Sequence, residues 1–262
     1  MQVCGIFGFA LARPVLLSEV FGVLARLEAH RYSGEETPVG GYGAGITILE
    51  GGKLLTQKAG RTGDASPVQD LRKLMEAVEA SVLISHVRMP SPQFMDDARF
   101  RETAQPYAAD CAEGVSVASA HNGYVENYLA LRERLGRTHV LESEKVELID
   151  SEVIPHCFEE ALKANADVEE AVHSLYAMLE GRMAIALLQT GRKRDFLHFL
   201  HKGQTRGLHV WTNNDGEIIF ISRKETLTPY FEALLSEGRF NQTVAVAWRE
   251  EKNIKLSYAL KS

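Results

Sequence analysis

Cys4-Gly5-Ile6-Phe7-Gly8-Phe9-Ala10-Leu11-Ala12 is an apolar run punctuated by Gly5 and Gly8, and with Val3 it reads as a short strand. Arg13-Pro14 ends it, and from Leu16 to about Ala29 the spacing of Val20, Leu24 and Leu27 places apolar side chains on one helix face. Working outward, residues 33–45 are rich in Gly, Glu and Pro and form a loop, and residues 44–49 and 53–56 flank Glu50-Gly51-Gly52 as paired strands. Residues 67–80 have amphipathic helical spacing with Pro67 at the start, and residues 81–87 are a buried strand. A loop from Met89 to about residue 101 leads to a strand at 115–120, and residues 126–135, 151–163 and 168–179 follow as helices. Short alternating strands at 183–189, 196–200, 208–212, 218–222 and 244–248 close the chain. Strands and helices in separate runs, without strict alternation, predict an α+β fold of antiparallel sheets covered by helices. Nothing marks a linker, so residues 1–262 are expected to form a single domain.

At 262 residues, 45% hydrophobic and 24% charged, the chain can bury a sizeable core. Its net charge of −6, with scattered Lys and Arg, offers no footprint for nucleic acid or an anionic membrane. The longest apolar run, residues 183–188, is far short of a membrane span, and the expected compartment is the cytoplasm. Cys4, Cys111 and Cys157 are too few and too irregular for a disulfide framework or a metal knuckle, and Cys111 and Cys157 are expected to be core thiols. His198 and His201 sit three apart on a strand and face opposite sides, so they cannot share a metal. No phosphate loop or dinucleotide fingerprint is present. Neither a metal nor a cofactor is expected.

Cys4 lies close enough to the N-terminus to invite a specific chemistry. As a terminal residue it would carry its own base, since an α-amine with a pKa of ~7.7–8.0 can accept the proton of a thiol near ~8.5. Met1-Gln2-Val3 stand in front of it, and while they remain the Cys4 nitrogen is an amide without useful basicity. Three further segments carry chemistry. In Ser85-His86-Val87-Arg88, Arg88 emerges where a buried strand ends; it is either a surface cation or a clamp for a carboxylate. In His121-Asn122-Gly123, Asn-Gly is a turn signal, yet a side-chain amide beside a Gly amide can also converge two donors on one oxyanion. In Asp150-Ser151-Glu152-Val153-Ile154, Asp150 or Ser151 is a helix cap, or Asp150 receives an ammonium group.

The order Cys-Gly-Ile-Phe-Gly, His-Val-Arg, His-Asn-Gly, Asp-Ser-Glu-Val-Ile resembles the glutaminase domain of the class II glutamine amidotransferases, which are N-terminal-nucleophile hydrolases. Quieter echoes are Ala104-Gln105-Pro106-Tyr107 and residues 131–135. The resemblance implies a four-layer αββα sandwich of antiparallel sheets. It implies Cys4 as nucleophile, Asn122 and Gly123 as the oxyanion hole, and Arg88 and Asp150 as the pair holding the α-carboxylate and α-amino group of L-glutamine. Met89 and Ser91 would lie on the loop that closes over glutamine, and Arg31 would match an Arg after the first helix. Two departures stand out: residues 32–41 form an insertion after Arg31, and Pro90 and Pro92 stiffen the glutamine loop.

The resemblance further implies hydrolysis of glutamine to glutamate and ammonia through a Cys4 thioester, once Met1-Gln2-Val3 are removed as a propeptide. With no synthase domain before Ser262, the ammonia is expected to pass to a separate synthase subunit, with a glutamate-synthase type as first choice. The alternative is a catalytically silent homologue, its N-terminus uncleaved, that senses glutamine or assembles a complex.

Overall fold

The computed structural model describes residues 4–34, 36–110, 114–191, 194–205 and 207–261. The expectations for Met1-Gln2-Val3 and for Cys111 lie outside the described residues. The first half runs β1 (Gly5–Leu16), α1 (Leu17–Ala29), β2 (Gly43–Glu50), β3 (Lys53–Gly60), α2 (Pro67–Met75) and β4 (Glu79–Arg88). The middle contains β5 (Tyr107–Ala109), β6 (Val115–Val125), α3 (Tyr128–Leu135), α4 (Val153–Ala164) and α5 (Val168–Met178). The chain closes with β7 (Gly181–Gly191), β8 (Phe196–Lys202), β9 (Leu208–Thr212), β10 (Ile218–Ile221), α6 (Pro229–Glu237), β11 (Asn241–Val246) and β12 (Ile254–Ala259).

Two antiparallel sheets form, one of seven strands ordered β11-β9-β10-β1-β4-β2-β3 and one of five ordered β12-β8-β7-β6-β5. Side chains alternate between the faces of a strand, and β1 shows how that builds the layers. Phe7 and Phe9 point to the helical side, where they pack with Val20, Phe21 and Leu24 of α1, Leu71 of α2 and Phe231 of α6. Ile6 and Ala10 point the other way and meet Ala118 and Ala120 of β6, Leu188 of β7 and Phe199 of β8 between the sheets. On the far side of the five-stranded sheet, Val117, Ile185 and Leu187 pack against Ile154 and Phe158 of α4 and Leu175 of α5. The result is the αββα sandwich. Crowding from the flanking strands of its own sheet demands a bare backbone at Gly8, where a Cβ would stand 2.4 Å from the Phe220 ring on β10 and 2.4 Å from the Leu83 carbonyl oxygen on β4. Among the described residues no helix is long and apolar enough to cross a membrane.

Several expectations are corrected. β1 does not stop at Arg13-Pro14 but continues to Leu16 through a bulge between Ala10 and Val15, so the proline falls where the ladder with β4 is interrupted. The helix expected over residues 67–80 ends at Met75, because Glu79 and Ala80 pair with Leu16 and Val15 as the start of β4. His121-Asn122-Gly123 is no turn: β6 runs on to Val125, with Asn122 opposite Ala184 and Gly123 opposite Met183 on β7. The sequence reading missed β5, β12 and α6. Cys157 is a core thiol as expected, and burial pushes it up to about 12.

Candidate active site

Strand register gathers the predicted residues at one end of the inter-sheet space. Gly5 pairs with Val87 and Ile6 with His86, so Cys4, one residue before Gly5, lies toward Arg88. By alternation Cys4 shares the face of Ile6, Arg88 and His86 share the face of Ile84, and Asn122 shares the face of Ala118 and Ala120. All these faces look into the space between the sheets. The Cys4 thiol donates to the Met89 carbonyl at 3.2 Å, which fixes it at the start of the loop following β4. His86 Nε2 lies 3.1 Å from the His121 carbonyl oxygen and ties the sheets together beside Asn122.

Asn122 is wholly buried, and neither its Oδ1 nor its Nδ2 has a hydrogen-bond partner among the described residues. It lies beside His86, whose Nδ1 also lacks a partner, but the two do not reach hydrogen-bonding geometry. An unsatisfied buried amide costs ~1–3 kcal/mol, so this side chain suits a polar group entering the cavity it lines. Asn122 and Gly123 line a cavity of about 330 Å³ together with Ser91, Tyr124, Arg182 and Thr205. Gly123 has φ +144°, and a Cβ there would stand 2.1 Å from the Arg182 carbonyl oxygen, so only glycine fits.

Arg88 is buried rather than a surface cation at a strand end. Its Nη1 donates to Thr103 Oγ1, while Nη2 has no partner among the described residues. A buried guanidinium without a bonded carboxylate suits an incoming anion. Asp150 is buried in a short 3-10 turn before α4 and does not cap the helix with its side chain; Oδ2 accepts the Val125 N–H at 2.9 Å. Burial raises its carboxyl to about 7 against the pull of the Val125 N–H and the Arg88 charge. Arg88 and Asp150 thus act on each other electrostatically across the same end of the sheets, without an ion pair.

A polar scaffold that the sequence reading did not single out holds these groups. Gln105 grips the His121 main chain at both ends, accepting its N–H at 2.8 Å and donating to its carbonyl at 3.1 Å. Ser151 Oγ meets His121 Nδ1 at 2.8 Å and Gln105 Nε2 at 3.2 Å. Gln105 stood only inside one of the quieter echoes, and Thr103 gave no signal at all. Burial lowers both His86 and His121 to about 3, with the neighbouring charges of His121 and Arg88 adding to it at His86. Neither imidazole can serve as a base near neutral pH.

Met89 and Arg31 line a second cavity, about 460 Å³, on the other side of the loop after β4. Met89 is buried and Arg31 is exposed, and neither lines the cavity shared by Asn122 and Gly123. Ser91 is buried on the Asn122 side. His198 and His201 are each engaged separately, His198 with Gln189 and Ser257 and His201 with Thr205 and the Lys252 carbonyl.

Comparison with known proteins bears on the family and the fold. The glutamine amidotransferase domain family matches residues 96–229. The glutamine–fructose-6-phosphate aminotransferase (isomerizing) of Sulfolobus acidocaldarius is 30% identical over 196 residues, covering 74% of this chain and 29% of that protein. Its counterpart from Aquifex aeolicus is 31% identical over 190 residues, covering 71% and 27%. The chain therefore spans less than a third of the length of either relative. Among solved structures, glutamine phosphoribosylpyrophosphate amidotransferase from B. subtilis has the same fold, with a TM-score of 0.61 at 19% identity over 97% of this chain and 49% of that one. With two antiparallel sheets between helical layers and a matching family domain over half its length, this chain belongs to the class II glutamine amidotransferase domain family.

Proposed function

We propose that the chain hydrolyses the side-chain amide of L-glutamine at Cys4. One observation carries this reading: the wholly buried Asn122 amide, with no well-formed hydrogen bond to the described residues, faces a cavity it shares with Gly123. Arg88 receives the α-carboxylate and Asp150 the α-ammonium, since one is a buried cation with an unused donor and the other a buried carboxyl that an ammonium would ionise. Removal of Met1-Gln2-Val3 turns the Cys4 nitrogen into an amine. His86 and His121 are too weakly basic at neutral pH to take the thiol proton in its place.

The amine takes the thiol proton, and Sγ attacks the amide carbon of glutamine. Asn122 Nδ2 and the Gly123 N–H hold the resulting oxyanion. The ammonium then protonates the departing nitrogen, the C–N bond breaks, and ammonia leaves a γ-glutamyl thioester on Cys4. Water cleaves the thioester to glutamate. Met89 and Ser91 flank this space from the loop after β4. Arg31 lines the second cavity with Met89, whose carbonyl accepts the Cys4 thiol.

The ammonia passes to the acceptor site of a synthase partner. The relatives are named for transfer to fructose 6-phosphate, which favours a sugar-phosphate acceptor over the glutamate-synthase type expected from sequence. The test is glutamate release by the chain starting at Cys4. Activity that disappears in Cys4→Ala supports the reading. Glutamine binding without turnover would instead support the silent homologue.

A further inference from the structure

On the helical side of the five-stranded sheet, three donor atoms converge. His156 and Glu159 stand three apart on α4 and so share one helix face, and His139 comes from the segment between α3 and Asp150. All three side chains are buried. His139 Nδ1 lies 3.1 Å from His156 Nδ1, and Glu159 Oε2 lies 3.6 Å from each of them. The nearest point equidistant from three atoms so placed is about 2.0 Å from each, and a tetrahedral ion just off their plane sits at about 2.1 Å, within the ~2.0–2.2 Å of zinc–imidazole and zinc–carboxylate bonds. Tetrahedral donors at such bond lengths stand about 3.3–3.5 Å apart, which matches the observed triangle.

Two imidazole nitrogens share one N–H···N contact, and the carboxylate oxygen is beyond hydrogen-bond range of both. Outside the triangle, His139 Nε2 meets Glu160 Oε1 at 2.9 Å, the carboxylate–histidine contact that orients a metal-bound imidazole. With Nε2 donating to Glu160, His139 presents the lone pair of Nδ1 inward, a tautomer assigned from the network.

We infer that His139, His156 and Glu159 bind a divalent transition-metal ion of the zinc class, with Glu160 orienting His139. Two imidazoles and one carboxylate suit such an ion, whereas Mg²⁺ and Ca²⁺ require more oxygen ligands. Binding requires the His156 proton to reside on Nε2, so that both Nδ1 lone pairs face the metal. The ion ties the chain segment before Asp150 to the helix that follows it. This site is independent of glutamine hydrolysis, and the sequence expectation of no metal did not weigh these residues.

The test uses the full chain, stripped with a chelator and titrated with Zn²⁺ alone. One equivalent should bind by elemental analysis and raise the melting temperature, and Co²⁺ in its place should give the visible bands of a four-coordinate site. His139→Gln and His156→Gln should abolish that equivalent, and Glu160→Gln should weaken it by ~10–100-fold. Cys4→Ala should leave it intact, which separates this site from metal held by the thiol. Absence of uptake, uptake surviving both histidine changes, or uptake lost with Cys4→Ala would each overturn the proposal. Should the histidine variants not fold, Glu160→Gln decides: unchanged affinity there also overturns it. A cluster holding only a shared proton between the imidazoles would show no uptake.

Discussion

Asp150→Asn should remove a pH-dependent cost from the folded state. Burial raises the Asp150 carboxyl from its ordinary 3.8 to about 7, so the native protein holds that proton more tightly than the unfolded chain does. The associated stability is fully present below pH ~4 and is lost as pH climbs through about 7. The rise corresponds to about 4 kcal/mol between those limits. Asparagine keeps the shape, and its amide oxygen can still accept the Val125 N–H seen at 2.9 Å. Glu28 and Glu152, also raised mainly by burial, are common to both proteins and cancel in the difference. Urea unfolding of wild type and Asp150→Asn at half-unit steps from pH 4 to 8 measures the effect. Wild type should lose about 4 kcal/mol relative to the variant as pH rises, and saturating glutamine should restore much of that loss in wild type alone. A difference that stays flat with pH would refute the reasoning.

Asn122→Ala should lower the rate of glutamate release by ~10²–10³ while leaving the melting temperature unchanged or higher, because the amide it removes is buried and unbonded. Arg88→Lys should raise the KM for glutamine by ~10–100-fold, the loss of one charge-assisted hydrogen bond worth ~1.5–3 kcal/mol; steady-state kinetics reads it directly. Gly123→Ala should destabilise the fold by more than about 3 kcal/mol in thermal melting, since its Cβ collides with the Arg182 carbonyl at a φ closed to other residues. With His86 and His121 lowered to about 3, the pH profile of glutamate release should show no imidazole step between pH 5 and 8. A step near pH 6.5 that vanishes in His86→Gln would contradict this.

Apolar alternation made most of both sheets legible, because a strand buried on one or both faces must show it in sequence. What alternation cannot report is how far a partner strand extends. Asn122-Gly123 carries a strong local turn signal, yet β7 pairs with every residue of β6 to Val125, and the ladder overrides the turn preference. β12 is an edge strand with no fully buried residue, and α6 buries only Phe231 fully, so neither writes a clear pattern. At the site, residue chemistry identified Cys4, Arg88, Asn122 and Asp150, but not the burial that gives them force. Arg88 is anchored by Thr103 and His121 by Gln105, partners set by loop folding rather than by spacing. The His139, His156 and Glu159 cluster is half legible, as an i, i+3 pair on α4, but its third member comes from a loop.

The most direct test is to prepare the chain with Cys4 as its first residue and follow glutamate and ammonia from glutamine, with intact mass recorded on acid-quenched samples. The account predicts equal release of both products, a transient γ-glutamyl adduct on Cys4, and no release from Cys4→Ala. Glutamate formed at the wild-type rate by Cys4→Ala would contradict it.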